Sequence, residues 1–195
     1  MNITITTWVI IAIAVVVVIA LGLFVVKRRR RRSRHLHKQF GPEYKHAVKE
    51  YGGPRKAEAE LAAREKRIRK LDIRVLAPEE HSRFANAWRK TQTRFVDEPS
   101  KTIGEADDLV KEVMKTRGYP VGDFDQRAAD ISVDHPNVVI NYRAGREIAV
   151  RNKKGEATTE DLRQAMMHYR SLFEELVETA ESATSKEEFD ESRRR

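Results

Sequence analysis

The sequence predicts an all-α protein: a single N-terminal transmembrane helix followed by a helical bundle of about four core helices, with two membrane-proximal helices between. Three observations predict it. An uncharged, strongly apolar run covers the nineteen residues Trp8–Val26. Beyond it, apolar residues recur at helical spacing, and prolines and glycines stand where helices start and stop. No stretch alternates with period two for long enough to make a sheet.

The apolar run comes first. As a helix, nineteen residues span about 28 Å, close to the hydrocarbon thickness of a bilayer. Its valines and isoleucines disfavour an isolated helix in water, but in lipid the backbone must satisfy itself and helix is the available state. Trp8 stands where an interfacial aromatic belongs, and Thr4, Thr6 and Thr7 lead into it. A cleaved signal peptide is the competing reading. Against it stand a Met1–Thr7 stretch without Lys or Arg, the length of the run, and arginines where a small-residue cleavage site would be.

The basic block fixes an orientation. Lys27, Arg28, Arg29, Arg30, Arg31, Arg32 and Arg34 carry seven of the eight net positive charges, which leaves +1 for the body. Basic residues beside a spanning helix stay on the cytoplasmic side. The expected topology is one pass through the membrane, N-terminus outside and C-terminal domain in the cytoplasm. Residues 1–26 are the anchor and 27–38 the basic juxtamembrane segment, so residues 1–34 meet the lipid bilayer.

Residues 39–72 read as two charged proximal helices. Pro42 suits a first turn, with Tyr44, Val48 and Tyr51 at helical spacing before Gly52 and Gly53. The next helix is rich in Ala, Glu, Lys and Arg and has favourable pairs Glu60/Arg64 and Glu65/Arg69. Its apolar stripe is thin, at Ala57, Leu61, Ile68 and Leu71, which predicts a largely solvated stalk or one arm of a hairpin.

The bundle is expected over residues 73–178. Ile73, Val75 and Leu76 form an extended connector tucked into the core. Pro78 opens a helix to about Val96, with Phe84, Trp88 and Phe95 as its aromatic face. Pro99 opens another, buried through Ile103, Ala106, Leu109, Val110 and Val113 and stopped by Gly118. Asp123 and Gln126 look like an N-terminal capping box. The helix after them should kink or split near His135, because Pro136 follows. Thr158 and Asp161 cap the last helix, which faces Leu162, Met166, Tyr169, Phe173, Leu176 and Val177 inward. Residues 179–195 are polar and read as a disordered tail.

Composition excludes some functions. The chain has no cysteine, so disulfides and cysteine-ligated zinc are out. The pI of 9.8 suggests a nucleic-acid binder. A body of charge +1 removes that suggestion, since the excess lies beside the apolar run and no aromatic side chain interleaves the arginines. No nucleic acid is expected as a partner.

The blocks "FGPEY" at 40–44, "RFVDEPS" at 94–100, "EADDLVKEVMKTRGYP" at 105–120, "QRAADISVDHPNVVINYR" at 126–143 and "TTEDLRQAMMHYRSLFEELVE" at 158–178 together carry a likeness. They resemble a family of small bacterial proteins with an N-terminal transmembrane or signal-like segment and a helical body, usually labelled hypothetical or secreted. The resemblance implies a bacterial source and a single unit over residues 40–178. It implies no activity and no catalytic residues.

Chemistry is sparse. The chain lacks HExxH, Walker A, GxGxxG and GxSxG patterns. Glu43-x-x-His46 has di-iron spacing, but such sites need two copies and further inward carboxylates. His35-x-His37 falls in the basic strip and reads as interfacial polarity. The pair Met166-Met167 reads as core or a flexible contact surface. Arg94 or Arg127 can pair with Asp97, Asp123 or Asp125 across helix junctions. The one cluster worth weighing is Arg127, Asp130, Asp134 and His135. It is either a ligand or catalytic site needing a pocket and a nucleophile, or the hydrogen-bonding of a helix broken at Pro136. No catalytic residue, metal or cofactor is assigned. The expected function is a membrane-anchored cytoplasmic helical module acting by protein interaction, scaffolding or self-association. The alternative is an enzyme or ligand-binding bundle with a site near Asp134 and His135.

Overall fold

A sequence punctuated by Pro54, Pro78 and Pro99 starts helices at those residues, since proline's fixed φ suits the first turn and its missing N–H costs nothing there. In a computed structural model of the chain, residues 2–193 are described. The side chains of 1–7, 9–15, 18, 25 and 178–195 lie outside that description. The described residues form seven helices and no strand: α1 Asn2–Glu50, α2 Pro54–Ile68, α3 Pro78–Asp97, α4 Pro99–Arg117, α5 Phe124–Asp134, α6 Val139–Lys153 and α7 Thr159–Arg193. The all-α class is thus observed.

The chain divides into two compact units, Met1–Gln39 and Phe40–Arg195. In the first, α1 carries a row of exposed apolar side chains, among them Trp8, Val16, Ile19, Leu21, Leu23 and Phe24. Among the described residues no helix is long and apolar enough to cross a membrane. All of the residues Val9–Val15 have side chains outside the described residues. The helix is interrupted at Gly41, with φ 44° and ψ −119°, and resumes at Pro42.

The second unit contains the residues 39–72 expected as a separate pair of helices, from Phe40 onward. The end of α1 buries Phe40, Glu43, Tyr44 and Ala47. Helix α2 is not a free stalk. It packs on α5 and buries Ala57, Leu61, Arg64 and Ile68, while Leu71 stays half-buried. The gap in its apolar stripe is occupied by Arg64, which is why the stripe looked too thin to dock.

Helix α7 packs extensively against α6 and α4, and α4 packs against α3. Trp88 of α3 stacks on Phe173 of α7, ring centroids 4.6 Å apart. Phe95 reaches only half-burial. Gly145 lets α6 approach α7, since a Cβ there would sit 3.3 Å from Tyr169 Cε2. Helix α4 ends in a Schellman motif, with Gly118 N–H donating to Lys115 and Tyr119 N–H to Met114. Gly118 has φ 97°, and any Cβ would run into the Asp72 carbonyl.

That carbonyl belongs to the connector between α2 and α3. Arg74 N–H donates to the Arg117 carbonyl at 2.9 Å. The Arg117 side chain returns a bond to the Arg74 carbonyl at 3.2 Å and reaches Leu176 O at 3.0 Å. The connector is therefore pinned to the ends of α4 and α7. Leu76 is buried and Ile73 half-buried, whereas Val75 turns outward, contrary to the expected inward run.

The break at Pro136 occurs where expected and separates α5 from α6. Asp123 caps α5 by accepting from Gln126 N–H at 2.9 Å. The Gln126 side chain does not complete the box and goes to Asp130 instead. Thr158 and Asp161 do form a reciprocal box: Asp161 N–H donates to Thr158 Oγ1 at 3.1 Å, and Thr158 N–H to Asp161 Oδ2 at 2.8 Å. Helix α7 continues to Arg193. Its backbone is helical through 179–193, where composition suggested disorder. The Ala, Glu and Lys of that stretch are good helix formers.

Candidate functional site

Pro42 restarts α1, and the inward face that follows brings Glu43 to full burial. Helix α2 turns Arg64 toward it from a position flanked by Leu61 and Ile68. Arg64 Nη1 donates to Glu43 Oε1 at 3.0 Å. Arg143, on α6, donates from Nη2 to the same oxygen at 2.8 Å. Arg64 also donates to Tyr51 Oη at 3.1 Å and to Glu60 at 3.4 Å. Burial works against its charge, but Tyr51 and Glu43 outweigh that and hold its pKa above the ordinary value. Three segments are thus fastened through one carboxylate oxygen.

Glu43 Oε2 and Arg143 Nε are both buried without a hydrogen-bond partner among the described residues. Arg64 and Arg143 form part of the wall of a surface hollow of about 180 Å³, together with Glu50, Tyr51, Glu60 and Asp125. His46 sits 4.0 Å from Glu43 and 3.4 Å from Glu50. The di-iron reading of Glu43-x-x-His46 therefore meets a glutamate already engaged by two guanidinium groups. Among the described residues no group of three His, Asp or Glu side chains is placed to hold a metal.

The cluster Arg127, Asp130, Asp134 and His135 does not converge on one point. Each goes to a different neighbour. Asp130 is fully buried and accepts from Arg67 of α2 at 2.8 Å and from Gln126 at 2.9 Å. Arg127 donates to Tyr142 Oη at 3.1 Å and to the Gly122 carbonyl. Asp134 is exposed and accepts from Tyr119 Oη at 2.6 Å. His135 is buried with Nδ1 3.1 Å from Glu175 Oε1 of α7, and its Nε2 is buried without a partner among the described residues.

His135 also ends α5. Its N–H donates to Ile131, and its carbonyl accepts from Val138 and Val139 at the start of α6. This is the hydrogen-bonding expected of a helix broken at Pro136. Burial lowers the His135 pKa; Arg117 lowers it too, while Glu175 and Asp134 oppose. Burial thus favours the uncharged imidazole.

The suggested pairings of Arg94 and Arg127 with Asp97, Asp123 or Asp125 do not form. Arg94 pairs instead with Glu105 of α4 at 2.8 Å. Helix α4 supplies a third buried acid, Asp107, which pairs with Lys111 at 2.8 Å and lies 3.8 Å from Arg146. Burial and then Asp107 raise the pKa values of Tyr142 and Tyr169. Of the methionine pair, Met166 is core and Met167 is exposed.

Sequence reading missed Glu43, Arg64 and Arg143 as a unit. The available signal was the vacancy between Leu61 and Ile68 in the α2 stripe, where an arginine takes a core position. The arrangement fastens helices; it presents no nucleophile beside an acid and base. The arginine block is helical and exposed along α1. No family model, curated protein or solved structure matches this chain.

Proposed function

We propose that the protein is a single-pass bacterial membrane protein whose helical body, Phe40 onward, acts in the cytoplasm by protein interaction or self-association and without catalysis. The observation that carries this reading is the adjacency of the apolar run Trp8–Val26 to the seven charges of Lys27–Arg34. An uncharged run of that length suits a spanning helix, and the block beside it sets the orientation. The described apolar side chains of α1 support the reading by being exposed: Trp8 at 72%, Leu23 at 66% and Phe24 at 64%. Exposed apolar surface of that extent calls for a nonaqueous partner. Nine of the nineteen residues in the run have side chains outside the described residues.

The body supports a binding role by its chemistry. Its buried acids and bases are engaged with one another, as Glu43, Asp107 and Asp130 illustrate. Alkaline extraction of membranes tests the anchor, and paired C-terminal fusions to alkaline phosphatase and a fluorescent protein test the orientation. The expected outcome is a chain retained in the membrane with a fluorescent, phosphatase-negative fusion. Release by alkali would refute the anchor. Cross-linking of the full chain in mild detergent, followed by mass spectrometry, tests for a protein partner or a second copy.

A further inference from the structure

The arginine block has a geometry that an orientation signal alone does not require. Six of its seven cations are arginine, although lysine serves equally well to hold a loop on one side of a membrane. The block is helical and exposed. At about 100° per residue, the eight positions Lys27–Arg34 go around the helix about twice, so the charge forms a collar. Within it Lys27/Arg31, Arg28/Arg32 and Arg30/Arg34 are pairs four residues apart. Their Cβ atoms lie about 5–6 Å apart, and like charges at that spacing repel.

The chain offers these cations no local relief. No acidic residue precedes Glu43. Among the described residues, none of Lys27–Arg32 has a carboxylate partner, and the bond from Arg34 Nε goes to the Arg30 carbonyl. Counter-charge is therefore drawn from outside the described residues. On the reading that Trp8–Val26 spans a bilayer, the collar starts at the headgroup layer and extends about 12 Å from it, comparable with the Debye length in physiological salt. The nearest anions are lipid phosphates.

We propose that the Lys27–Arg34 collar is a binding site for anionic lipids that carry two phosphates in one headgroup, of the cardiolipin type. This rests on the membrane-anchor reading. A guanidinium grips phosphate through two parallel N–H bonds, which an ammonium does not. Each pair of cations accommodates one phosphate. A headgroup with two phosphates engages neighbouring pairs, and its second contact is made at high effective concentration. Lipids with one phosphate gain only the general attraction of about fivefold per basic residue near an anionic surface.

The full chain is reconstituted in phosphatidylcholine vesicles containing either cardiolipin or phosphatidylserine at matched charge. Bound lipid is read by native mass spectrometry after gentle extraction. The expected result is at least a severalfold enrichment of cardiolipin over phosphatidylserine. Replacing Arg28–Arg32 and Arg34 by lysine keeps the charge and should abolish that preference while leaving phosphatidylserine retention unchanged. Replacing them by glutamine should remove both. Equal enrichment of the two lipids, or a preference that survives in the lysine variant, would overturn the proposal. So would preferential retention of RNA over cardiolipin vesicles in competition. Insertion is scored separately, by flotation with pure phosphatidylcholine vesicles after an alkaline wash. Failure there defeats the anchor reading, while flotation with cardiolipin vesicles still reports whether the collar binds the headgroup.

Discussion

Arg143 donates a hydrogen bond of 2.8 Å to Glu43 across one hundred residues of sequence. With Arg64 on the same oxygen, this contact makes the end of α1 and all of α2 part of the folded body. Removing the acid leaves two guanidinium groups inside without their counter-ion. Glu43→Ala should therefore lower stability by about 3–5 kcal/mol. Exchanging the trio together for Leu and two Met should recover most of that loss, because the cost lies in the unpaired charges. Denaturation of the full chain in mild detergent, followed by helical circular dichroism, measures both. A single Glu43→Ala variant as stable as the wild type would contradict the burial described for this carboxylate.

Two glycines of α4 and its cap should respond in opposite directions. Gly118 combines a left-handed backbone with contact against the Asp72 carbonyl. Gly118→Ala should cost about 2–4 kcal/mol, the sum of a left-handed penalty and a steric one. Gly104 is exposed and helical, and a Cβ there meets nothing within 4 Å. Gly104→Ala should stabilise by about 0.5–1 kcal/mol. Midpoints of thermal unfolding for the two variants decide the matter.

Stability should fall with acidity through His135. Its folded pKa is depressed, first by burial, with Arg117 adding to that and Glu175 and Asp134 opposing. A base with a depressed folded pKa binds its proton more tightly when unfolded. Its contribution is complete above the unfolded value of about 6.5 and is lost as pH falls from there through the folded value. Urea midpoints measured between about pH 8 and pH 5 should decline more steeply for the wild type than for His135→Gln. Parallel slopes would show that this histidine is not the titrating group.

Trp88 lies against Phe173 with an interplanar angle of 13°, yet its indole N–H is buried without an acceptor among the described residues. Trp88→Ala should cost about 3–5 kcal/mol through the cavity it opens. Trp88→Phe keeps most of the stack and removes the orphaned donor, so it should fall within about 1 kcal/mol of wild type. Equilibrium unfolding of the two variants separates these outcomes.

What was legible in the sequence was what neighbours along the chain decide. Pro78, Pro99, Gly118, Pro136 and the Thr158/Asp161 box act within a turn or two, and each marked a boundary where one occurs. The docking of α2 was not legible. It depends on Arg64 meeting Glu43 and on Arg67 meeting Asp130, 63 residues away. Buried ion pairs leave no apolar periodicity to read, and they make a docked helix look solvated. The same blindness affected the cluster around His135. Neighbours in sequence there turned to partners on α2, α6 and α7, because consecutive helical residues face different directions.

The clamp that Arg117 places on the Arg74 carbonyl and on Leu176 has a consequence for how this chain tolerates added length. The connector between α2 and α3 lacks regular structure, yet it is an anchored strap, and an extra residue there would pull Asp72 off Gly118 and Arg74 off Arg117. The turn at Gly155 has open space around it, and the N–H groups of Lys154, Gly155 and Glu156 all bond back to the end of α6. A tag or an inserted domain belongs at that turn, and duplications or insertions in the gene should survive there while being purged from the strap.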